Sequence, residues 1–176
     1  MIRTERLLLR PLHQDDLPHL QQYATRHEFY RYLPIVEQTP DTVAAFLEQR
    51  LIEAKAIEKQ HWVFALEPHG AGRLIGTVRL SVISKDHWTG DIGYGLNADF
   101  HGLGYMTEAV RAALNFGFNE LGMHRISATT DVQNVASCRV LERVGMIQEG
   151  LLRQDKLVRG EWRDSFLYAV LEGEVE

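Results

Sequence analysis

Between Asp91 and Val110 the chain reads DIGYGLNADFHGLGYMTEAV, and no other stretch restricts the fold as strongly. Ile92, Tyr94 and Leu96 alternate with Asp91, Gly93 and Gly95, which is the period of a strand. Met106, Ala109, Val110, Ala113, Gly117 and Leu121 then recur at helical spacing, opposite a polar stripe of Glu108, Arg111, Asn115 and Asn119. Between strand and helix stands Gly102-x-Gly104. Glycines are poor helix starters unless something must approach the backbone there.

A helix N-terminus leaves backbone N–H groups unpaired and carries partial positive charge. Glycines at that point remove the side chains that would cover those donors. Strand, Gly-x-Gly, helix is therefore the pattern of a phosphate cradle. A tight strand-to-helix turn with no ligand produces the same spacing. A dinucleotide-binding fold fits less well, because it wants a third glycine near Thr107 and an acid at a strand end about 20 residues on.

Two further features need an account. Gly93 and Gly95 share a strand face with Asp91, so an open strip beside one carboxylate can hold a substrate; a β-bulge with a solvent-facing aspartate is the plain alternative. Downstream, Ser137, Val140, Leu141 and Val144 fall at helical spacing, so a serine heads an inward apolar stripe. A buried hydroxyl needs a partner, and a backbone carbonyl one turn back or Asn134 is enough.

The remaining chain frames these sites. Arg6 to Leu12 reads as a strand and about Asp15 to Arg26 as a helix. A loop with Phe29, Tyr30 and Tyr32 follows. Thr39-Pro40-Asp41 opens a second helix with an N-cap hydroxyl, a first-turn proline and an acid. It carries Val43, Phe46, Leu47, Leu51, Ala54 and Ile57. His61 to Glu67 and Arg73 to Ile83 form a hairpin about His69-Gly70-Ala71-Gly72, and a third strand runs from Asp86 to about Leu96. His124 to Thr130 is a strand, Asn134 to Val144 a helix ended by Gly145, and Ile147 to Val158 and Trp162 to Leu171 a last hairpin. The order β-α-α-β-β-β-α-β-α-β-β predicts an α/β (α+β) protein, a mixed sheet with helices on its faces.

At 176 residues, residues 1–176 are read as one domain. A formal net charge of −5 argues against a nucleic-acid or anionic-membrane partner. The single cysteine, Cys138, excludes an intrachain disulfide and favours a reducing compartment. No apolar run approaches the roughly 20 residues of a membrane span, and MIRTERLLLRPLHQDD is too charged for a signal peptide. These readings point to the cytoplasm. The eight histidines show no metal pattern, so no metal is expected. The absence of Gly-x-Ser-x-Gly removes support for a serine hydrolase.

Taken together, HGLGYMTEAV, the preceding DIGYGL and the following NVASCRVLERVGM resemble the GCN5-related N-acetyltransferases. The start TERLLLRPL and the end EGLLR…GEWRDSFLYAVL are similar to the RimJ/RimL branch. Each motif is short; five in the right order over nearly the whole chain carry the resemblance. The sequence departs from the usual pattern at His101, Met106 and Met146. The resemblance implies a mixed, mostly antiparallel sheet of about seven strands with helices on both faces. It implies a transferase, more narrowly an acyltransferase, that moves an acetyl group from acetyl-CoA to a primary amine by direct attack. The pyrophosphate would lie on His101, Gly102, Leu103, Gly104, Tyr105, Met106 and Thr107. The pantetheine would pair with Tyr94, Gly95 and Leu96, and Asn134 would hydrogen-bond the pantetheine or cofactor end. Ser137 would donate a proton to the leaving thiolate and Asp91 would deprotonate the amine through water. The acceptor is a protein N-terminus, as in ribosomal proteins, or a small amine such as a polyamine, amino acid or amine drug, with Glu28 to Gln38 shaping its pocket. A homodimer is compatible with the resemblance, and a non-catalytic acyl-CoA-binding regulator is the reading from another class.

Overall fold

In the computed structural model, which describes residues 1–175, the strands are β1 (Ile2–Arg3), β2 (Leu7–Pro11), β3 (His61–Pro68), β4 (Gly76–Ser84), β5 (Thr89–Leu96), β6 (Arg125–Asp131), β7 (Ile147–Val158) and β8 (Glu161–Leu171). The helices are α1 (Leu17–Ala24), α2 (Pro40–Glu53), α3 (Tyr105–Asn119) and α4 (Val135–Arg143). One sheet contains eight strands in the order β1-β2-β3-β4-β5-β6-β8-β7. The extra strand relative to the expected seven is β1, two residues held against β2, too short to show any periodicity.

Period-two alternation gives the sheet two apolar faces. In β3, Phe64 and Leu66 join the core under α3 and α4, while Ala65 faces the smaller core of α1 and α2. Met106, Ala109, Val110, Ala113 and Leu114 from α3 complete the larger core, each large side chain worth about 1.5–3 kcal/mol on burial. Thr39 caps α2, accepting from the Thr42 N–H, with Pro40 in the first turn. That helix stops at Glu53, so Ile57 is not part of its apolar stripe and lies fully exposed.

The site is positioned by a break in pairing. β5 and β6 are parallel, and Thr89–Asp91 pair with Arg125–Ser127. There the ladder stops, although β5 runs on to Leu96 and β6 to Asp131. Each strand stays bonded on its other side, β5 to β4 as far as Leu96 opposite Gly76 and β6 to β8 as far as Asp131 opposite Ser165. The sheet therefore opens into a V between Ile92–Leu96 and Ala128–Asp131, and the facing backbone groups have no strand partner.

Candidate active site

A cleft of about 850 Å³ occupies the V. One wall is β5 from Ile92 to Leu96, another is the end of β6, and the start of α3 and the first turns of α4 close the ends. Unpaired edges of two strands with N–H donors at the mouth suit an extended, amide-containing chain that carries a phosphate.

The Gly-x-Gly loop has the form that such a chain requires. Gly102 and Gly104 sit at φ +76° and +80°, backbone that residues with a Cβ seldom adopt. A Cβ on Gly102 would meet nothing within 4 Å, so the space outside the loop is open. The first intrahelical bond runs from the Glu108 N–H to the Gly104 carbonyl, which leaves the N–H groups of Tyr105, Met106 and Thr107 without helical acceptors. His101, Gly102, Gly104, Tyr105, Met106 and Thr107 all line the cleft. Leu103 does not; its side chain is exposed and its carbonyl is turned toward Arg6.

Arg6 is a functional candidate that the sequence reading treated only as part of the first strand. Its Nη1 donates to the Leu103 carbonyl at 2.8 Å and its Nε to Glu108 at 2.7 Å, and the guanidinium lies 4.9 Å from the Tyr105 ring centre. Burial disfavours the charged Glu108 carboxylate, but hydrogen bonds from Thr4 and Arg6 outweigh it and hold its pKa below the usual carboxylate range. The segment just before β2 thus braces the glycine loop. The Arg6–Glu108 separation of 102 residues is why local spacing could not reveal this.

On the other side of the V, Asn134 caps α4 by accepting from the Ser137 N–H at 3.2 Å. Its side-chain NH₂ has no protein partner among the described residues, and it lines the cleft. Ser137 lines the cleft as well, half-buried at the head of the stripe that continues into buried Leu141 and Val144. Its Oγ does not bond back to the carbonyl one turn earlier. It lies 2.9 Å from the Tyr94 hydroxyl, which also reaches the Ser137 carbonyl at 3.3 Å. Burial pushes the Tyr94 phenol up to about 12, while the bond to Ser137 acts in the opposite direction. Sequence reading assigned Tyr94 a backbone role only.

The glycine strip on β5 is not open, which corrects one expectation. Arg79 lies over Gly93, with Nη2 3.1 Å from where a Cβ would be, and the Phe29 ring covers Gly95 at 2.8 Å. Asp91 stands at the vertex, the last residue of β5 that pairs with β6. Arg79 donates to both of its oxygens, at 3.2 and 2.6 Å, and the cleft lining on this strand begins at Ile92.

The far half of the cleft draws on three separate segments: Glu28 to Pro34, Asp131, and Lys156 to Ser165. Its acids are Glu28 and Asp131. Glu28 lies 3.9 Å from Arg26, and Asp131 accepts from Arg163 at 3.0 Å while its other oxygen is shut away from solvent. Arg31 has no ion-pair partner among the described residues; its guanidinium lies 5.3 Å from the Tyr32 ring centre. Arg159, at the tip of the β7–β8 hairpin, donates to the Tyr30 carbonyl at 2.6 Å and so ties the hairpin to the loop.

The sequence matches the acetyltransferase (GNAT) domain family over residues 6–147. An uncharacterized N-acetyltransferase of Bacillus subtilis, YnaD, is 31% identical over 98% of both chains. The ribosomal protein uS5-alanine N-acetyltransferase of Escherichia coli is 28% identical over 96% of this chain and 89% of its own. A spermidine N(1)-acetyltransferase of the same organism is 24% identical over 93% and 85%. Among solved structures, a GNAT-family acetyltransferase from Bacillus anthracis superposes with a TM-score of 0.87 at 30% identity over 98% and 99% of the two chains. Mycobacterium smegmatis RimJ in complex with CoA-disulfide gives 0.85 at 26% identity over 96% and 83%. With the splayed strands and the glycine loop all inside the matched span, the chain belongs to the GNAT family of N-acetyltransferases.

Proposed function

We propose that this N-acetyltransferase uses acetyl-CoA to acetylate the α-amine of a protein N-terminus. The observation that carries the cofactor part is the V between β5 and β6, which ends at the open, donor-lined loop of Gly102 and Gly104. Acetyl-CoA would supply the activated acetyl thioester. The Tyr94–Leu96 edge and the Asn134 NH₂ would hold its amide arm, and the N–H groups of Tyr105 to Thr107 its pyrophosphate. Arg139 and Arg143 line the same cleft without ion-pair partners among the described residues and would add positive charge for phosphate. Holding two reactants in line is worth roughly 7–11 kcal/mol, so no enzyme nucleophile is needed. Ser137 would protonate the leaving thiolate.

The acceptor follows from the far half of the cleft. A polyamine is recognised by free carboxylates; here the buried acid, Asp131, is paired with Arg163, and Arg31 has no ion-pair partner among the described residues. Asp91, held by Arg79 at the vertex, is also not among the residues that line the cleft. An α-amine, with pKa about 8, is about one-tenth uncharged at pH 7, whereas a lysine-type amine at about 10.4 is less than about one-thousandth uncharged. Solvent can then accept the proton, and Asp91 serves as the anchor at the vertex. Asp91→Asn is expected to change kcat by less than about threefold, well below the 10²–10⁴-fold of general base catalysis; a loss in that higher range would restore Asp91 as the base. The uS5-alanine N-acetyltransferase relative supports this direction.

The experiment is CoA-thiol release with acetyl-CoA and three acceptors: a short peptide with a free N-terminus, the same peptide blocked, and spermidine. Turnover confined to the free N-terminus is expected. Preference for spermidine would replace the acceptor reading, and no release with any amine would favour a non-catalytic acyl-CoA-binding protein.

A further inference from the structure

We infer that Tyr94 is a positioning residue that turns the Ser137 hydroxyl so that its proton faces the reacting sulfur; this rests on the reading of Ser137 as the proton donor. A helical serine can donate to a carbonyl one turn back, and a hydroxyl so occupied cannot donate to a substrate. Ser137 is kept out of that arrangement. Its Oγ has one side-chain partner among the described residues, the Tyr94 hydroxyl at 2.9 Å.

The fold explains why a tyrosine reaches this far. Tyr94 lies on β5 beyond the last pair with β6, opposite Val78 of β4. It shares the α3–α4 face with Ile92. The splay leaves a gap between β5 and α4, and the phenol spans it. A phenol has one proton and two candidate acceptors here, the Ser137 Oγ at 2.9 Å and the Ser137 carbonyl at 3.3 Å. Donating to the nearer oxygen uses a lone pair of Oγ and leaves the serine proton free. Burial keeps the phenol protonated across the working pH range, so this donor is always present.

The transfer balances without a further reagent. The amine nitrogen bonds to the thioester carbon, the C–S bond breaks, and its electron pair goes to sulfur. Sulfur takes the Ser137 proton, and the proton lost by the amine restores the serine through solvent. Tyr94 keeps its own proton throughout.

Tyr94→Phe keeps the ring and removes only the hydroxyl. It is expected to lower kcat about 5–20-fold, below the usual span of general acid catalysis, with the acetyl-CoA Kd and the acceptor KM unchanged. The Tyr94→Phe/Ser137→Ala double variant is expected to be no slower than Ser137→Ala alone. A purely structural hydroxyl would instead lower the melting temperature and multiply its effect onto Ser137→Ala. Wild-type kcat in Tyr94→Phe, or multiplying effects, overturns the inference. Full activity in Ser137→Ala overturns the proton-donor reading itself, so the two failures are distinct.

Discussion

The two halves of the cleft are built from different material. The half bounded by β5, the Gly102–Gly104 loop and the start of α4 offers mainly backbone groups: free strand edges, helix N–H donors and an Asn cap. The half bounded by Glu28–Pro34, Asp131 and Lys156–Ser165 offers side chains from three segments, joined by Arg159 and the Arg163–Asp131 pair. Backbone recognition tolerates change in side chains and demands a fixed chain path. Side-chain recognition has the opposite sensitivities. The difference implies that substitutions in the first half should change cofactor binding or kcat, and those in the second the choice of acceptor.

The largest effect is expected from Gly104→Arg. A side chain there would meet the Arg6 guanidinium, at 3.3 Å from a Cβ, on backbone at φ +80°. Losing two charge-assisted hydrogen bonds at about 1.5–3 kcal/mol each weakens acetyl-CoA binding by about 100-fold or more, read by calorimetry. An unchanged Kd would mean that the loop is only a turn. Next comes Ser137→Ala, with kcat down about 10–100-fold, at the low end for a general acid because a thiolate leaves readily. Its stability should change by about 1 kcal/mol or less, and acetyl-CoA affinity should hold.

Charge reversal at Arg31 tests the other half. Arg31→Glu should raise kcat/KM for spermidine relative to the free peptide by about tenfold or less, since exposed charges are screened. The acetyl-CoA Kd should not move; if it does, the halves are not separable. The smallest effect concerns Glu108, whose folded pKa is depressed. Such a carboxylate contributes stability that is present above its unfolded pKa of about 4.3 and lost as pH falls through the folded value. Glu108→Gln should therefore melt lower than wild type at pH 6, and the gap should begin to narrow as pH falls below about 4.3.

This contrast also explains what the sequence made legible. The strand at Asp91–Leu96, the Gly-x-Gly turn and the α3 stripe are consecutive, so spacing alone displayed them. Thr39-Pro40 announced α2 by local capping. The splay itself was not legible, because it is a missing interaction between strands about 36 residues apart, visible only in the register. Tyr94–Ser137, Arg6–Glu108 and Arg79–Asp91 are likewise contacts across the fold. Gly93 and Gly95 suggested an open strip, but the side chains of Arg79 and Phe29 occupy the space beside them. Ile57 followed helical spacing past the true end of α2 because no residue there marks the stop.

The most direct measurement is the melting temperature of the unmodified protein with and without acetyl-CoA. At about 100 times its Kd, a ligand of the folded state adds about 2.7 kcal/mol, and at this size that raises the melting temperature by roughly 5–11 °C. That rise is expected with acetyl-CoA and none with NAD. A shift with NAD and none with acetyl-CoA would contradict the assignment of the β5–β6 cleft as an acyl-CoA site.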